Sequence, residues 1–202
     1  MVAACAHTPP PQASAEAPAA PSVHADAAST ASASTGAAPV TSPPPSSASG
    51  QWGGRLSLKL APWQGQSASG ITLAFDLRSQ PDGGTLDLST ALGTQVARLT
   101  WQQQGDQLVS ELETSEGRRQ FGSLEELSQS ALGEALPLQA LPHWLSGQPA
   151  PHWPHSAGPQ AGQFTQQGWQ IDASELQRGR LNLDRAASPT QRGVTLRVRL
   201  DL

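Results

Sequence analysis

The chain has 202 residues, a formal charge of −4 and a single cysteine. This length allows one domain with a tail; the acidic balance lacks the basic face that nucleic acid requires, and a lone cysteine excludes an intramolecular disulfide. No apolar run reaches about 18 residues, so no helix is expected to span a membrane and attachment must come from lipid or an exposed apolar element.

Val2-Ala3-Ala4-Cys5 places small residues before the cysteine and resembles a bacterial lipobox, in which the cysteine sulfur carries diacylglycerol. Residues 1–5 thus read as the remnant of a lipoprotein signal with Cys5 as the anchor. Only four residues precede Cys5, short of the basic segment and the apolar stretch of about 7–15 residues in a secretory signal. The alternative is a free thiol near a disordered end. Residues 6–51 are nearly all Ala, Pro, Ser and Thr. Such a tract cannot bury enough apolar surface to offset its ordering entropy, so disorder is expected. As a flexible tether it would reach roughly 35–40 Å, more where proline stiffens it. An O-glycosylated stalk fits the same composition.

A folded domain is expected over residues 52–202. Leu56, Leu58 and Leu60 alternate with polar residues, as do Ile71, Leu73, Phe75 and Leu77, the period of half-buried strands. Pro81-Asp82-Gly83-Gly84 is a turn. Leu86 and Leu88, Gln95 to Trp101, Leu108 to Glu113 and Arg118 to Phe121 continue the series. Asp76, Asp82 and Asp87 fall on the solvent side by alternation or turn. Ser123 is placed to cap a helix, with Glu126 as its capping-box partner, Leu124, Leu127 and Ala131 on one face and Gly133 as its stop. A second short helix is expected near Leu138–Leu145, with Pro142 in its first turn and Leu138, Leu141, Trp144 and Leu145 aligned. Residues 148–162 read as a Pro/Gly/His-rich loop. Strands return at Phe164–Gln166, Gly168–Asp172, Arg180–Leu183 and Val194–Leu202. The fold class is mainly β with short helices: an incomplete, open antiparallel barrel enclosing an apolar cavity and lidded by the helices, or a solid β-sandwich with helices at one edge.

Four stretches resemble the outer-membrane lipoprotein receptor family LolB. Gly54-Arg55-Leu56-Ser57 is similar to its first strand. Leu86-Asp87-Leu88-Ser89-Thr90-Ala91-Leu92-Gly93 is similar to a strand entering the family's Pro-Leu-Gly loop, with Ala91 in place of the proline. Leu136-Pro137-Leu138, then Leu141, Trp144, Gly147 and Pro149, resembles the most specific signature, and Gly168-Trp169-Gln170-Ile171 resembles a Gly-Trp-x-Ile motif. The resemblance implies an apolar cavity for lipoprotein acyl chains and a projecting Leu92 that touches the bilayer. It implies a periplasmic carrier of the LolA kind as donor, acylated lipoprotein as cargo, and lipid anchoring on the periplasmic side of the outer membrane of a Gram-negative cell, as a monomer.

Moving an acyl chain is a matter of hydration. A sixteen-carbon chain gains roughly 10–13 kcal/mol on leaving water, so a continuous apolar route is needed. Leu58, Leu73, Phe75, Leu88, Trp101, Leu127, Leu141, Trp144, Leu145, Trp169 and Ile171 are candidates to line it, and each also fits as ordinary core. Leu92 stands outside the alternation, at a turn, where a leucine is either a membrane contact or simply exposed. No catalytic motif is present: no Gly-x-Ser-x-Gly, no His-Glu-x-x-His and no phosphate loop. His143, His152 and His155 lack a fourth ligand at zinc spacing, so no metal or other cofactor is expected. Glu125 and Glu126 read as the acidic first turn of a helix. A non-enzymatic receptor is the leading expectation. The alternatives are a soluble carrier or lipid-sensing module of the same barrel class, and a surface-anchored hydrolase.

Overall fold

The computed structural model describes residues 49–202; Cys5 and the expected tether up to Ala48 lie outside the described residues. In chain order the strands are β1 (Gly50–Leu60), β2 (Ser69–Gln80), β3 (Gly83–Ser89), β4 (Gln95–Gln104), β5 (Gln107–Thr114) and β6 (Gly117–Phe121). Helices α1 (Leu124–Leu132) and α2 (Leu141–Leu145) follow, then β7 (His155–Ala157), β8 (Gln163–Gln166), β9 (Trp169–Asp172), β10 (Arg180–Arg185) and β11 (Val194–Leu200). A single 3-10 turn, Leu176–Arg178, precedes β10.

All eleven strands form one antiparallel sheet in the order β6-β5-β4-β3-β2-β1-β11-β10-β9-β8-β7. Sequence neighbours pair in succession except at the centre, where β1 pairs with β11 and joins the two ends of the described region. The edge strands β6 and β7 do not meet, so the sheet is open and unclosed. The alternation seen in sequence decides which face is buried. Leu56, Leu58 and Leu60 of β1, Leu73, Phe75 and Leu77 of β2, and Val194, Leu196 and Val198 of β11 all point into one core.

The helices pack on that inner face because their own apolar stripes have nowhere else to go. Ser123 takes an extended backbone, and its hydroxyl accepts the Glu126 N–H at 3.2 Å. Gly133 ends α1 in the left-handed region at φ 78°. Leu124, Leu127 and Leu132 are buried beneath it. In α2, Pro142 stands in the first turn, where its missing N–H costs nothing.

Several boundaries differ from expectation. β1 begins at Gly50, because Gly50 to Gly53 pair with β2 from Ser79 back to Asp76 despite lacking apolar alternation. The second helix starts at Leu141 rather than Leu138. Leu138 lies in turns held by the N–H of Leu138 donating to Leu136 and that of Ala140 to Pro137. Within the expected loop, His155–Ala157 forms an edge strand against β8. The last strand stops at Leu200, and Leu202 is exposed.

Candidate functional site

The eleven residues proposed to line an acyl cavity come together on one apolar interior. Leu58, Leu73, Phe75, Leu88 and Trp101 reach it from β1 to β4, and Trp169 and Ile171 from β9. Leu127 of α1 and Trp144 and Leu145 of α2 meet them, and Leu141 packs half-buried against the same cluster. Trp101 needs a glycine opposite to lie across β3: a Cβ on Gly84 would stand 2.4 Å from its ring. Gly84, which reads in sequence as part of a turn, is thus a packing requirement.

Thirty apolar side chains are buried in this interior. The apolar gap bounded by Leu136, Leu138, Leu141, Trp144, Trp169 and Leu196 measures about 10 Å³, the room of about one water molecule. Leu124, Leu127 and Leu132 of α1, Leu136, Leu138 and Ala140 of the segment between the helices, and Trp144 and Leu145 of α2 are all buried in the same cluster and form a plug over it. Two clefts flank this plug from outside. One, of about 250 Å³, lies among Pro81, Asp82, Trp101, Leu138, Pro142 and His143. The other, of about 120 Å³, lies among Leu108, Ser123, Leu138, Trp153 and Gln167. Leu138 borders both clefts and the inner gap, and it is fully buried. Burial and the nearby His152 both hold the His143 imidazole below its ordinary pKa, so it favours the neutral form.

A buried amide fixes α2 to the sheet. Gln166 of β8 accepts the Trp144 indole N–H at 2.8 Å and the Ala150 N–H at 2.9 Å, and its own amide donates to the Ala150 and Trp153 carbonyls at 2.8 and 2.9 Å. Trp144 in turn meets Trp169 with ring centres 6.1 Å apart. Arg185 covers the Trp169 ring at 5.0 Å and pairs with Glu134, just past α1, at 2.5 Å. Gln166 and Leu138 are absent from the candidates drawn from sequence. The signal for Gln166 was present: Phe164 points inward, so a polar residue two places on must also point inward and find partners.

Leu92 stands apart from the interior. The Thr90 N–H donates to the Thr94 carbonyl, and the Gly93 N–H donates to the Thr90 carbonyl. The Thr90 hydroxyl also accepts the Thr94 N–H. Gly93 supplies the left-handed φ of 86° that the turn demands. Leu92 sits at the tip, 95% exposed. The strand register places this turn at the opposite end of β3 from Pro81 and Asp82, and so away from the larger cleft.

Among the described residues no three His, Cys, Asp or Glu side chains group as metal ligands, and no helix is long and apolar enough to cross a membrane. None of the curated proteins matches the chain. The family model described as outer membrane lipoprotein LolB matches residues 51–201, which is the whole sheet with its two helices except the first residue of β1. The chain belongs to the LolB family of outer-membrane lipoproteins.

Proposed function

We propose that the protein accepts acylated lipoproteins from a soluble periplasmic carrier of the LolA kind and releases them into the inner leaflet of the outer membrane, as a monomer and without nucleotide hydrolysis. Membership of the family supports the receptor role. The observation that carries the transfer step is Leu92: a large apolar side chain, 95% exposed, on a turn closed by its own hydrogen bonds. In this reading Cys5 bears the anchor, residues 6–51 tether the domain, and residues 52–202 handle the cargo. The apolar interior receives the acyl chain by exchange. The chain takes the place of side chains that now fill the inner face, with the segment around Leu138, flanked by both clefts, as the part that yields. Direction comes from the order of affinities, carrier below receptor below bilayer.

Leu92 supplies the contact with the bilayer. One leucine contributes roughly 1.5–3 kcal/mol when fully buried, enough for touching and release but not for permanent anchoring. Leu92→Glu is expected to leave the melting temperature and acceptance of cargo from the carrier unchanged, while delivery to liposomes falls at least about tenfold, the equivalent of about 1.4 kcal/mol. Unchanged delivery would make Leu92 an ordinary surface residue. Mass spectrometry of membrane-extracted protein tests the anchor: an acylated Cys5 is expected, and an unmodified thiol would favour a soluble carrier instead.

A further inference from the structure

Arg55, Arg199 and Arg180 occupy directly opposed positions on β1, β11 and β10. All three are exposed on the outer face, and exposed Arg178 joins them from the turn before β10. Together with Gly179 and Asp201 they line a groove of about 510 Å³. Arg178 and Arg180 share one carboxylate, that of Glu175, at 3.3 and 3.2 Å. Arg55 and Arg199 make no ion pair among the described residues. Four guanidiniums thus face two side-chain carboxylates, those of Glu175 and Asp201, in a chain whose overall charge is −4.

Like charges directly opposite one another across strands destabilise a sheet. A row of three is a cost that a bound anion would relieve. The backbone brings the charges close: a Cβ on Gly54 would stand 2.0 Å from the Arg199 carbonyl oxygen, so only glycine lets β1 approach β11 at this level. The residue type narrows the ligand. Guanidinium presents a planar fork that matches phosphate oxygens two at a time, and it gives up hydration more readily than ammonium.

We propose that this groove binds the phosphate of an anionic phospholipid headgroup at the membrane surface. The register supports a lipid source. The arginine row continues from Arg55 to Ala74 and on to Ser89, the residue before the Leu92 turn. Two strand spacings separate Arg55 from Ser89, roughly 10 Å. A bilayer touched by Leu92 therefore brings its headgroups within reach of the row. The orientation rests on the reading of Leu92 given above, whereas the ligand chemistry rests on the arginines.

The test is vesicle flotation of the full chain carrying Cys5→Ala, with phosphatidylcholine vesicles and with vesicles that also contain phosphatidylglycerol. Phosphatidylglycerol is expected to raise binding. Arg55→Gln with Arg199→Gln should lower that increment by about twenty-five-fold, at roughly a factor of five per arginine, while leaving binding to phosphatidylcholine unchanged and the melting temperature equal or higher. Leu92→Glu should lower binding to both vesicle types, so failure of the Leu92 reading and failure of the arginine site give different patterns. Should the double variant not fold, Arg178→Gln is the substitute and should lower the same increment about five-fold. The proposal is overturned if phosphatidylglycerol has no effect or if the arginine variants keep the increment. It is also overturned if millimolar inorganic phosphate, against chloride of equal ionic strength, abolishes vesicle binding, which would indicate a soluble anion site. Loss of cargo acceptance from the carrier with lipid binding intact would instead assign the groove to a protein partner.

Discussion

Gln166 shows how one polar residue can decide the position of an element. Its amide makes four hydrogen bonds with a helix side chain and the loop behind it, and it is 1% exposed. Three of the four bonds, those to the Trp144 indole and to the Ala150 N–H and carbonyl, are buried, and the one to the Trp153 carbonyl is part-buried. Gln166→Ala would strand the Trp144 indole N–H and the backbone groups of Ala150 and Trp153. Each orphaned buried group costs about 1–3 kcal/mol, so a loss of about 3 kcal/mol or more is expected. That corresponds to a fall in melting temperature of about 10 °C for a domain of this size. Thermal unfolding followed by tryptophan fluorescence measures it. A loss below about 1 kcal/mol would mean that water replaces the amide and that α2 is held by its apolar contacts alone.

At the scale of elements, the plug between α1 and α2 is the part that the proposed function requires to yield. The Ser128 hydroxyl accepts the Leu136 N–H at 2.9 Å, which ties the start of this segment to α1, and its one proton faces the Glu125 and Leu136 carbonyls at 3.1 and 3.2 Å. Gln166 ties α2 to β8. Leu138 lies between these two fixed points and separates the clefts of about 250 and 120 Å³ from the apolar gap of about 10 Å³. Leu138→Ala is expected to cost about 2–5 kcal/mol through the space it leaves. It should nonetheless raise the affinity for an apolar dye or a lipopeptide, because less side chain has to be displaced. Equilibrium unfolding and a dye-binding titration give both quantities on one sample. Weaker or unchanged binding by a folded variant would place the route of access elsewhere.

At the scale of the whole molecule, the pairing of β1 with β11 is what makes one sheet of two halves. Gly54 sits at that joint with φ 155° and no room for a Cβ. Gly54→Ala is expected to destabilise by at least about 3 kcal/mol, from backbone strain with steric overlap added to it. Gly117 is the comparison: it too has positive φ, at 124°, but nothing stands within 4 Å of its Cβ position. Its alanine variant should cost less, about 1–2 kcal/mol from conformation alone. Urea midpoints of the two variants separate close approach from backbone strain, and equal losses would argue against a special demand at the β1–β11 joint.

Local pattern was enough for much of this fold. Alternating leucines identified β1, β2 and β11, and Ser123 and Gly133 marked the limits of α1, because capping and the two-residue strand period act between near neighbours in the chain. The exposed turn at Leu92 was legible for the same reason: Thr90 and Gly93 close it without help from elsewhere. Other features depend on partners far away in sequence. Gly50 to Gly53 become strand only because β2 pairs with them, and His155–Ala157 only because β8 does. The union of β1 with β11 and the alignment of Arg55 with Arg199 and Arg180 are written in no single window of the chain. The same holds for the state of the interior. Alternation tells which side chains turn inward, but whether they enclose a cavity or fill it depends on the summed volume that both halves of the sheet and both helices bring to one face, and that sum exists only once the chain has folded.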